Sequence, residues 1–213
     1  MVELTSVEED VFLVEEKTRA RIKEKRNYFK IGTLRIRHFV ARKIAPKVYG
    51  YAIDYSMIWN ATPRPMIQIV REHFSHADQL TGAEIGVEHG RNALSILQTL
   101  RMRKLYLIDI IQTEEAKPIH YFGNVEWLIM KSEEAYKRIH ESLDFCYIDG
   151  NHTYLYAKKD LESYWPLVKS GGVIGGHDIT EQYPDVKKAA KEFAHRNNVE
   201  LNICFPDFWM IKP

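Results

Sequence analysis

An acid and an imidazole, Asp149 and His152, stand three residues apart at the end of the apolar run LDFCYIDGNH, residues 143–152. An apolar run that stops at a glycine is typical of a strand buried on both faces of a parallel sheet. Ligands of open α/β sheets lie just beyond the carboxyl ends of such strands. The pair is therefore well placed to take part in chemistry. The alternative, that Asp149 caps the next helix and His152 lies on the surface, is open from this stretch alone.

A glycine-rich turn forms a second candidate site in the sequence EIGVEHG, residues 84–90. Glycines between a strand and a helix let the backbone approach a nucleotide, but the spacing is not G-x-G-x-x-G. Glu88 in the turn would repel a pyrophosphate, so a nucleoside without phosphates suits it better. Asp109 follows Gly90 by 19 residues, roughly the distance at which an acid reaches ribose hydroxyls in a doubly wound fold. A plain tight turn with a capping Asp109 is the weaker alternative.

From Gly82 onward, short apolar runs alternate with amphipathic helices, which predicts βαβ units and a parallel sheet. The last two strands are separated by three residues, and a gap that short requires an antiparallel hairpin. We expect strands at 83–87, 104–111, 125–130, 143–149, 172–176, 199–204 and 208–211, with helices at 62–75, 92–100, 154–168 and 186–195.

Composition excludes several classes of protein. The 213 residues, 45% hydrophobic and 28% charged, suit one globular core. No run is long and apolar enough for a transmembrane span, and the acidic N-terminus lacks a signal-peptide pattern. Cys146 and Cys204 both fall in predicted strands, so we expect buried thiols of a reducing compartment and a cytoplasmic location.

The net charge of +1 hides an uneven distribution. Residues 17–47 contain twelve Lys or Arg and one acid, so the rest of the chain is acidic. We therefore divide the chain into a basic helical extension, residues 1–62, and a catalytic domain, residues 63–213. The extension is predicted to serve as a substrate lid or an oligomer contact, and the chain to form a homo-oligomer. Nucleic-acid binding is a less favoured role, because no known nucleic-acid motif is present.

The turn at residues 84–90, the strand-ending Asp109 and the terminal hairpin resemble class I S-adenosylmethionine-dependent methyltransferases. The stretches Asp149-Gly150-Asn151-His152 and GGVIGGHD, residues 171–178, resemble one branch more closely. That branch contains macrocin-type sugar O-methyltransferases and cephalosporin-biosynthesis methyltransferases. The resemblance covers about residues 80–213 and implies a Rossmann-like fold with a seven-stranded, mostly parallel sheet.

The resemblance also implies roles for individual residues. His152 would be the general base, and Asp149 would assist catalysis and contact the cofactor. A divalent ion, Mg²⁺ or another metal, would be bound by Asp149, His177 and Asp178. The residues expected to bind S-adenosylmethionine are Glu84, Gly86, Val87, Glu88, Gly90, Asp109, Ser132, Glu133 and Asp149.

Physical chemistry agrees with this arrangement. An alcohol is a poor nucleophile at neutral pH and needs a base or a cation that lowers its pKa. Two carboxylates at adjacent strand ends form a hard oxygen site that suits Mg²⁺. His177 stands where some relatives have a carboxylate, and it would either favour softer divalent metals or act as a second base.

We therefore expect an enzyme that methylates a hydroxyl of a small acceptor, a sugar or a natural product. The alternatives are an N-methyltransferase, or an RNA-directed methyltransferase that uses the basic extension. A cofactor-binding protein without activity is disfavoured, since a dead site has no reason to keep Asp149, His152 and Asp178 together.

Overall fold

A computed structural model describes residues 63–77 and 79–213. The predictions for residues 1–62, including the basic extension, lie outside these ranges. No helix in the described ranges has the length and apolar character that a bilayer span requires.

The described chain forms one seven-stranded sheet with helices on its faces. The strands are β1 (Leu80–Ile85), β2 (Met102–Asp109), β3 (Val125–Ile129), β4 (Leu143–Ile148), β5 (Val168–Gly176), β6 (Asn202–Cys204) and β7 (Asp207–Ile211). The α-helices are α1 (Pro65–His73), α2 (Arg91–Thr99), α3 (Ser132–Ala135), α4 (Tyr154–Tyr164) and α5 (Pro184–Asn197). Short 3₁₀ helices span Lys117–Tyr121, Tyr136–Arg138 and Trp165–Leu167.

The strand order β3-β2-β1-β4-β5-β7-β6 confirms the predicted fold class. β1 to β5 pair in parallel, and β7 is antiparallel to both β5 and β6. The chain proceeds from β1 towards one sheet edge and then returns to β4 on the other side of β1. This reversal opens a crevice at the carboxyl ends of β1 and β4, where ligands bind in doubly wound folds.

Both faces of the sheet are buried, as the apolar strands predicted. Every residue of β1 and β4 is buried. Side chains of β4 alternate between two cores: Phe145 and Tyr147 pack with α1 and α2, whereas Cys146 and Ile148 pack with α4 and α5. Both cysteines are buried free thiols, as expected.

Several element boundaries differ from the predicted ones. β1 begins at Leu80, three residues before the expected start, because Thr81 and Gly82 are buried between neighbouring strands. The predicted helix at 154–168 ends at Tyr164, since Pro166 cannot continue the ladder of backbone hydrogen bonds and a 3₁₀ turn follows. α1 begins at Pro65, which suits the first helical position because that residue needs no N–H partner.

Gly86 lies where β1 passes closest to the end of β4. Its φ is +79°, and a Cβ placed there would lie 2.0 Å from the carbonyl oxygen of Asp149. Only glycine tolerates both the left-handed backbone and this approach. The sequence therefore needs glycine at this position to bring the first turn against Asp149.

Replacing Gly86 with alanine is expected to lower the free energy of unfolding by at least about 2 kcal/mol, because backbone strain and a steric clash add together. Gly123→Ala is the matched control, since no atom lies within 4 Å of a Cβ at Gly123. Urea denaturation of both variants measures the difference. Equal stabilities would show that the close approach at Gly86 is unimportant.

Candidate active site

A cavity of about 690 Å³ opens at the carboxyl ends of β1, β2 and β4, where the strand order reverses. Its volume suits a small-molecule ligand. Almost all of the predicted site residues line it, namely Glu84, Gly86, Val87, Glu88, Asp109, Ser132, Glu133, Asp149, His152, His177 and Asp178. The exception is Gly90, the N-cap residue of α2, which has a φ of +75° and where an added Cβ would lie 2.3 Å from Ile119 Cδ1.

Asp109, at the end of β2, holds the glycine-rich turn in place. Its Oδ2 accepts hydrogen bonds from the backbone N–H groups of Val87, at 2.8 Å, and Glu88, at 2.9 Å. Its other oxygen makes only a long contact, 3.3 Å, with the N–H of Ile111. One carboxylate oxygen therefore shapes the turn and leaves the other available to a ligand hydroxyl.

Glu88, one of the residues expected to bind the cofactor, lines the cavity from the glycine-rich turn. Its side chain is largely exposed and lies 3.5 Å from Nε2 of His89, at the cavity rim. Its φ of +49° is unusual for a residue other than glycine. Its backbone N–H, bonded to Asp109, is the part that shapes the cavity floor.

Glu84 is a buried acid at the inner end of the cavity. One carboxylate oxygen accepts a hydrogen bond from Asn92 Nδ2 at 3.1 Å, whereas Oε2 is buried without a hydrogen-bond partner. Burial raises the pKa of Glu84 to about 8. A buried carboxyl with one oxygen free of hydrogen bonds is a natural contact for a cationic ligand group in this cavity.

The shifted pKa of Glu84 predicts a pH dependence of stability. A carboxyl whose pKa rises from about 4.5 unfolded to about 8 folded stabilises the protein at low pH and loses this effect as pH rises through 8. In cofactor-free protein we expect the stability advantage of wild type over Glu84→Gln to fall by about 1 kcal/mol per pH unit between pH 5 and 8. Denaturant titrations across this range measure it, and a constant difference would contradict it.

Ser132 and Glu133 lie at the far side of the cavity, at the start of α3. The Ser132 hydroxyl donates to Asp160 on α4 at 2.6 Å, and Glu133 pairs with Lys159 at 2.8 Å. Asp160 also lines the cavity, and burial raises its pKa to about 6. Residues of α4 therefore hold Ser132 and Glu133 in place at this side of the cavity, a contribution that the sequence did not predict.

Asp149, His152 and Asp178 form a compact group where β4 and β5 end. One ligand atom from each residue can be chosen so that all lie within 4.8 Å of one another. His152 Nε2 lies 2.8 Å from Asp178 Oδ2 and 3.6 Å from Asp149 Oδ1. This nitrogen is buried and has no hydrogen-bond partner. Asp178 is distant from the other two residues along the chain. The parallel pairing of β4 and β5 brings all three together.

The local backbone and a neighbouring ring fix this group. Asp178 has a φ of +61°, a strained conformation for an aspartate that aims its carboxylate at the histidines. His152 stacks on Tyr183, with ring centroids 4.3 Å apart. Contact with Asp149, reinforced by Asp178, raises the pKa of His152 above its ordinary value.

His177 lies close to the same two carboxylates. Its Nδ1 lies 2.8 Å from Asp178 Oδ1 and 3.8 Å from Asp149 Oδ1, and its Nε2 lies 3.9 Å from Asp207. His177 therefore lies within 3.8 Å of both carboxylates that the resemblance implies as metal ligands. His152 is equally close to these carboxylates. The sequence predicted it as the general base and not as a metal ligand.

Two residues that sequence reasoning missed complete the site. Arg64 precedes α1 and forms an ion pair with Asp149 at 2.6 Å. Asp207, at the start of β7, is fully buried, and burial raises its pKa to about 7. Neither belongs to a recognisable motif, and each reaches the site only through the folded topology.

Comparison with known proteins agrees with the geometry. Residues 83–179 match the family described as a methyltransferase domain, whereas no curated protein sequence matches the chain. The O-methyltransferase NovP is 17% identical with a TM-score of 0.57, over 69% of this chain and 77% of that one. A TDP-rhamnose 3′-O-methyltransferase from calicheamicin biosynthesis is 11% identical with a TM-score of 0.56, over 99% and 97%.

A third similar structure is the MycE methyltransferase of the mycinamycin biosynthetic pathway, determined in complex with Mg and SAH. It is 14% identical with a TM-score of 0.52, over 68% of this chain and 49% of that one. At such identities the three structures show a shared fold. Together with the family match over residues 83–179, they show that the chain resembles class I S-adenosylmethionine-dependent methyltransferases.

Proposed function

We propose that this enzyme transfers the methyl group of S-adenosylmethionine to a hydroxyl of a small acceptor, a sugar or a natural product. The observation that carries the proposal is the convergence of Asp149, His152 and Asp178 within 4.8 Å at one end of the cavity. Such a group activates a weak oxygen nucleophile, which is the difficult part of alcohol methylation. The similar structures named as O-methyltransferases support the same choice.

The cofactor would occupy the part of the cavity between β1 and α3. Asp109 would bind the ribose through the oxygen that does not hold the turn, and Gly86 would let the chain approach the cofactor closely. Glu84 offers its unpartnered Oε2 to the cationic methionine end. Ser132 and Glu133 would flank the adenine, while Gly90 contributes through the shape of the turn.

A divalent ion fits the residues present. The carboxylates of Asp149 and Asp178 supply oxygen donors, and Nδ1 of His177 supplies a nitrogen donor beside them. Asp149 and Asp178 would hold the ion, and His177 has Nδ1 within 3.8 Å of both carboxylates. When bound, such an ion lowers the pKa of a coordinated hydroxyl.

In the transfer itself, the acceptor oxygen attacks the methyl carbon as the carbon–sulfur bond breaks, and S-adenosylhomocysteine leaves. His152 takes the hydroxyl proton at Nε2, the atom that faces Asp149 and Asp178. The two carboxylates then stabilise the imidazolium that forms. Stacking on Tyr183 restricts the ring to an orientation that keeps Nε2 towards the cavity.

The test uses S-adenosylmethionine labelled with ¹³C in the methyl group and a panel of sugars and hydroxylated natural products. A carbon NMR signal of an O-methyl product, absent with Asp178→Asn, is the expected result. An N-methyl product would contradict the proposal. Tight, salt-sensitive RNA binding by the full chain, with methyl transfer to RNA, would favour the alternative in which the basic stretch at 17–47 binds the substrate.

The remaining assignments extend the same proposal. Residues 63–213 would form the catalytic domain, with residues 1–62 as a basic extension that acts as a lid or an oligomer contact. A homo-oligomer in the cytoplasm stays the expectation from sequence. Light scattering of the full chain measures the oligomeric state directly.

A further inference from the structure

Arg64 is the only described arginine or lysine that contacts the group formed by Asp149, His152 and Asp178 in an ion pair. Its Nη1 donates to Asp149 Oδ2 at 2.6 Å and to the Tyr147 hydroxyl at 3.0 Å. The guanidinium also lies 5.6 Å from the centre of the Tyr147 ring. These contacts hold a permanent positive charge beside the place where a divalent ion would bind.

The surrounding structure keeps Arg64 in this position. Two residues further along, the N–H of Met66 donates to Asp207 Oδ2 at 3.0 Å, which fixes the start of α1 to β7. The Tyr147 hydroxyl accepts a hydrogen bond from Arg64 and donates one to Asp207 Oδ1 at 3.0 Å. Asp207 is fully buried, so these links are shielded from water. Arg64 is therefore held by the folded core at both its backbone and its side chain.

The two oxygens of Asp149 face different partners. Oδ2 accepts from Arg64, whereas Oδ1 faces His152 Nε2 at 3.6 Å and His177 Nδ1 at 3.8 Å. An ion on the Oδ1 side would share this carboxylate with the guanidinium and lie close to a like charge. The pair is mostly shielded, with side-chain exposures of 30% for Arg64 and 16% for Asp149, so solvent screens the repulsion only in part.

We propose that Arg64 is a built-in counter-cation that neutralises Asp149 and weakens divalent-ion binding between Asp149 and Asp178. This inference rests on the proposed metal site of the same enzyme. The site then takes up a divalent ion only at high concentration. Arg64 would act on the ion only through its ion pair with Asp149, so it is a positioning residue and not a ligand.

The test measures Mn²⁺ binding to cofactor-free protein from the electron paramagnetic resonance signal of free Mn²⁺. Arg64→Gln is expected to bind Mn²⁺ at least tenfold more tightly than wild type. Arg101→Gln makes the same charge change at an exposed position just before β2 and should bind like wild type. Adding Asp178→Asn to Arg64→Gln should abolish the gain, which places the ion in the proposed site.

Equal or weaker Mn²⁺ binding by Arg64→Gln would overturn the proposal, and weaker binding would mean that Arg64 only orients Asp149. Arg64→Met provides a second neutral variant if the first does not fold. The wild type gives an independent check, since we expect dissociation in the millimolar range and micromolar binding would overturn the idea. S-adenosylmethionine binding, measured calorimetrically on the same proteins, tests the enzyme assignment separately, and its failure would leave the Mn²⁺ comparison interpretable.

Discussion

Replacing His152 with alanine is expected to slow methyl transfer by about 10²- to 10⁴-fold, the usual contribution of a general base. Nε2 of His152 is buried and has no hydrogen-bond partner, yet it lies 2.8 Å from Asp178 and faces the cavity. Among the described histidines that line the cavity, only His152 and His177 lie within 4 Å of both Asp149 and Asp178. Single-turnover rates with saturating cofactor and acceptor measure the effect.

The controls separate a base from a metal ligand. His152→Ala should bind S-adenosylmethionine and Mn²⁺ as the wild type does, and added imidazole should restore part of the rate. A loss of Mn²⁺ affinity that matches the loss of rate would make His152 a ligand. An unchanged turnover rate across pH would remove it from the mechanism.

Asp109→Ala is expected to weaken S-adenosylmethionine binding by at least 100-fold. The substitution removes an acceptor for two backbone N–H groups of the turn, at 2.8 Å from Val87 and 2.9 Å from Glu88, together with the predicted ribose contact. Hydrogen bonds to a charged group each contribute about 1.5–3 kcal/mol, and 1.4 kcal/mol corresponds to a factor of ten in affinity. Isothermal titration calorimetry measures the change.

Glu114→Ala is the control for Asp109→Ala. Its side chain is highly exposed and pairs with Lys117 on the surface, so its loss removes the same charge without touching the turn. Cofactor affinity in this variant should match the wild type. If Asp109→Ala also binds like the wild type, then Asp109 neither shapes the turn nor contacts the ribose.

The sequence was sufficient to locate the edge of the sheet where the site lies. Periodic apolar runs marked the strands, and Asp109, Asp149 and Asp178 each follow such a run. Parallel strands place their carboxyl ends at one edge, so the acids had to converge once the topology was known. The short gap before Phe208 equally required the antiparallel β7.

The sequence did not reveal Arg64, the cation that pairs with Asp149, or the buried acid Asp207. Arg64 is 85 residues from Asp149 in the chain, and Asp207 is 60 residues from Tyr147. No local pattern reports contacts over such separations, because they depend on how α1 and β7 pack against β4. Individual strand ends also shifted, since burial of Thr81 and Gly82 is decided by neighbouring strands.

A crystal structure of the protein with S-adenosylhomocysteine is the most direct measurement of the central claim. We predict that the ribose hydroxyls contact Asp109 and that the sulfur points towards the space between Asp149 and His152. The methionine end should lie beside Glu84. Cofactor bound outside this cavity, or with its sulfur turned away from Asp149 and His152, would contradict the proposed site.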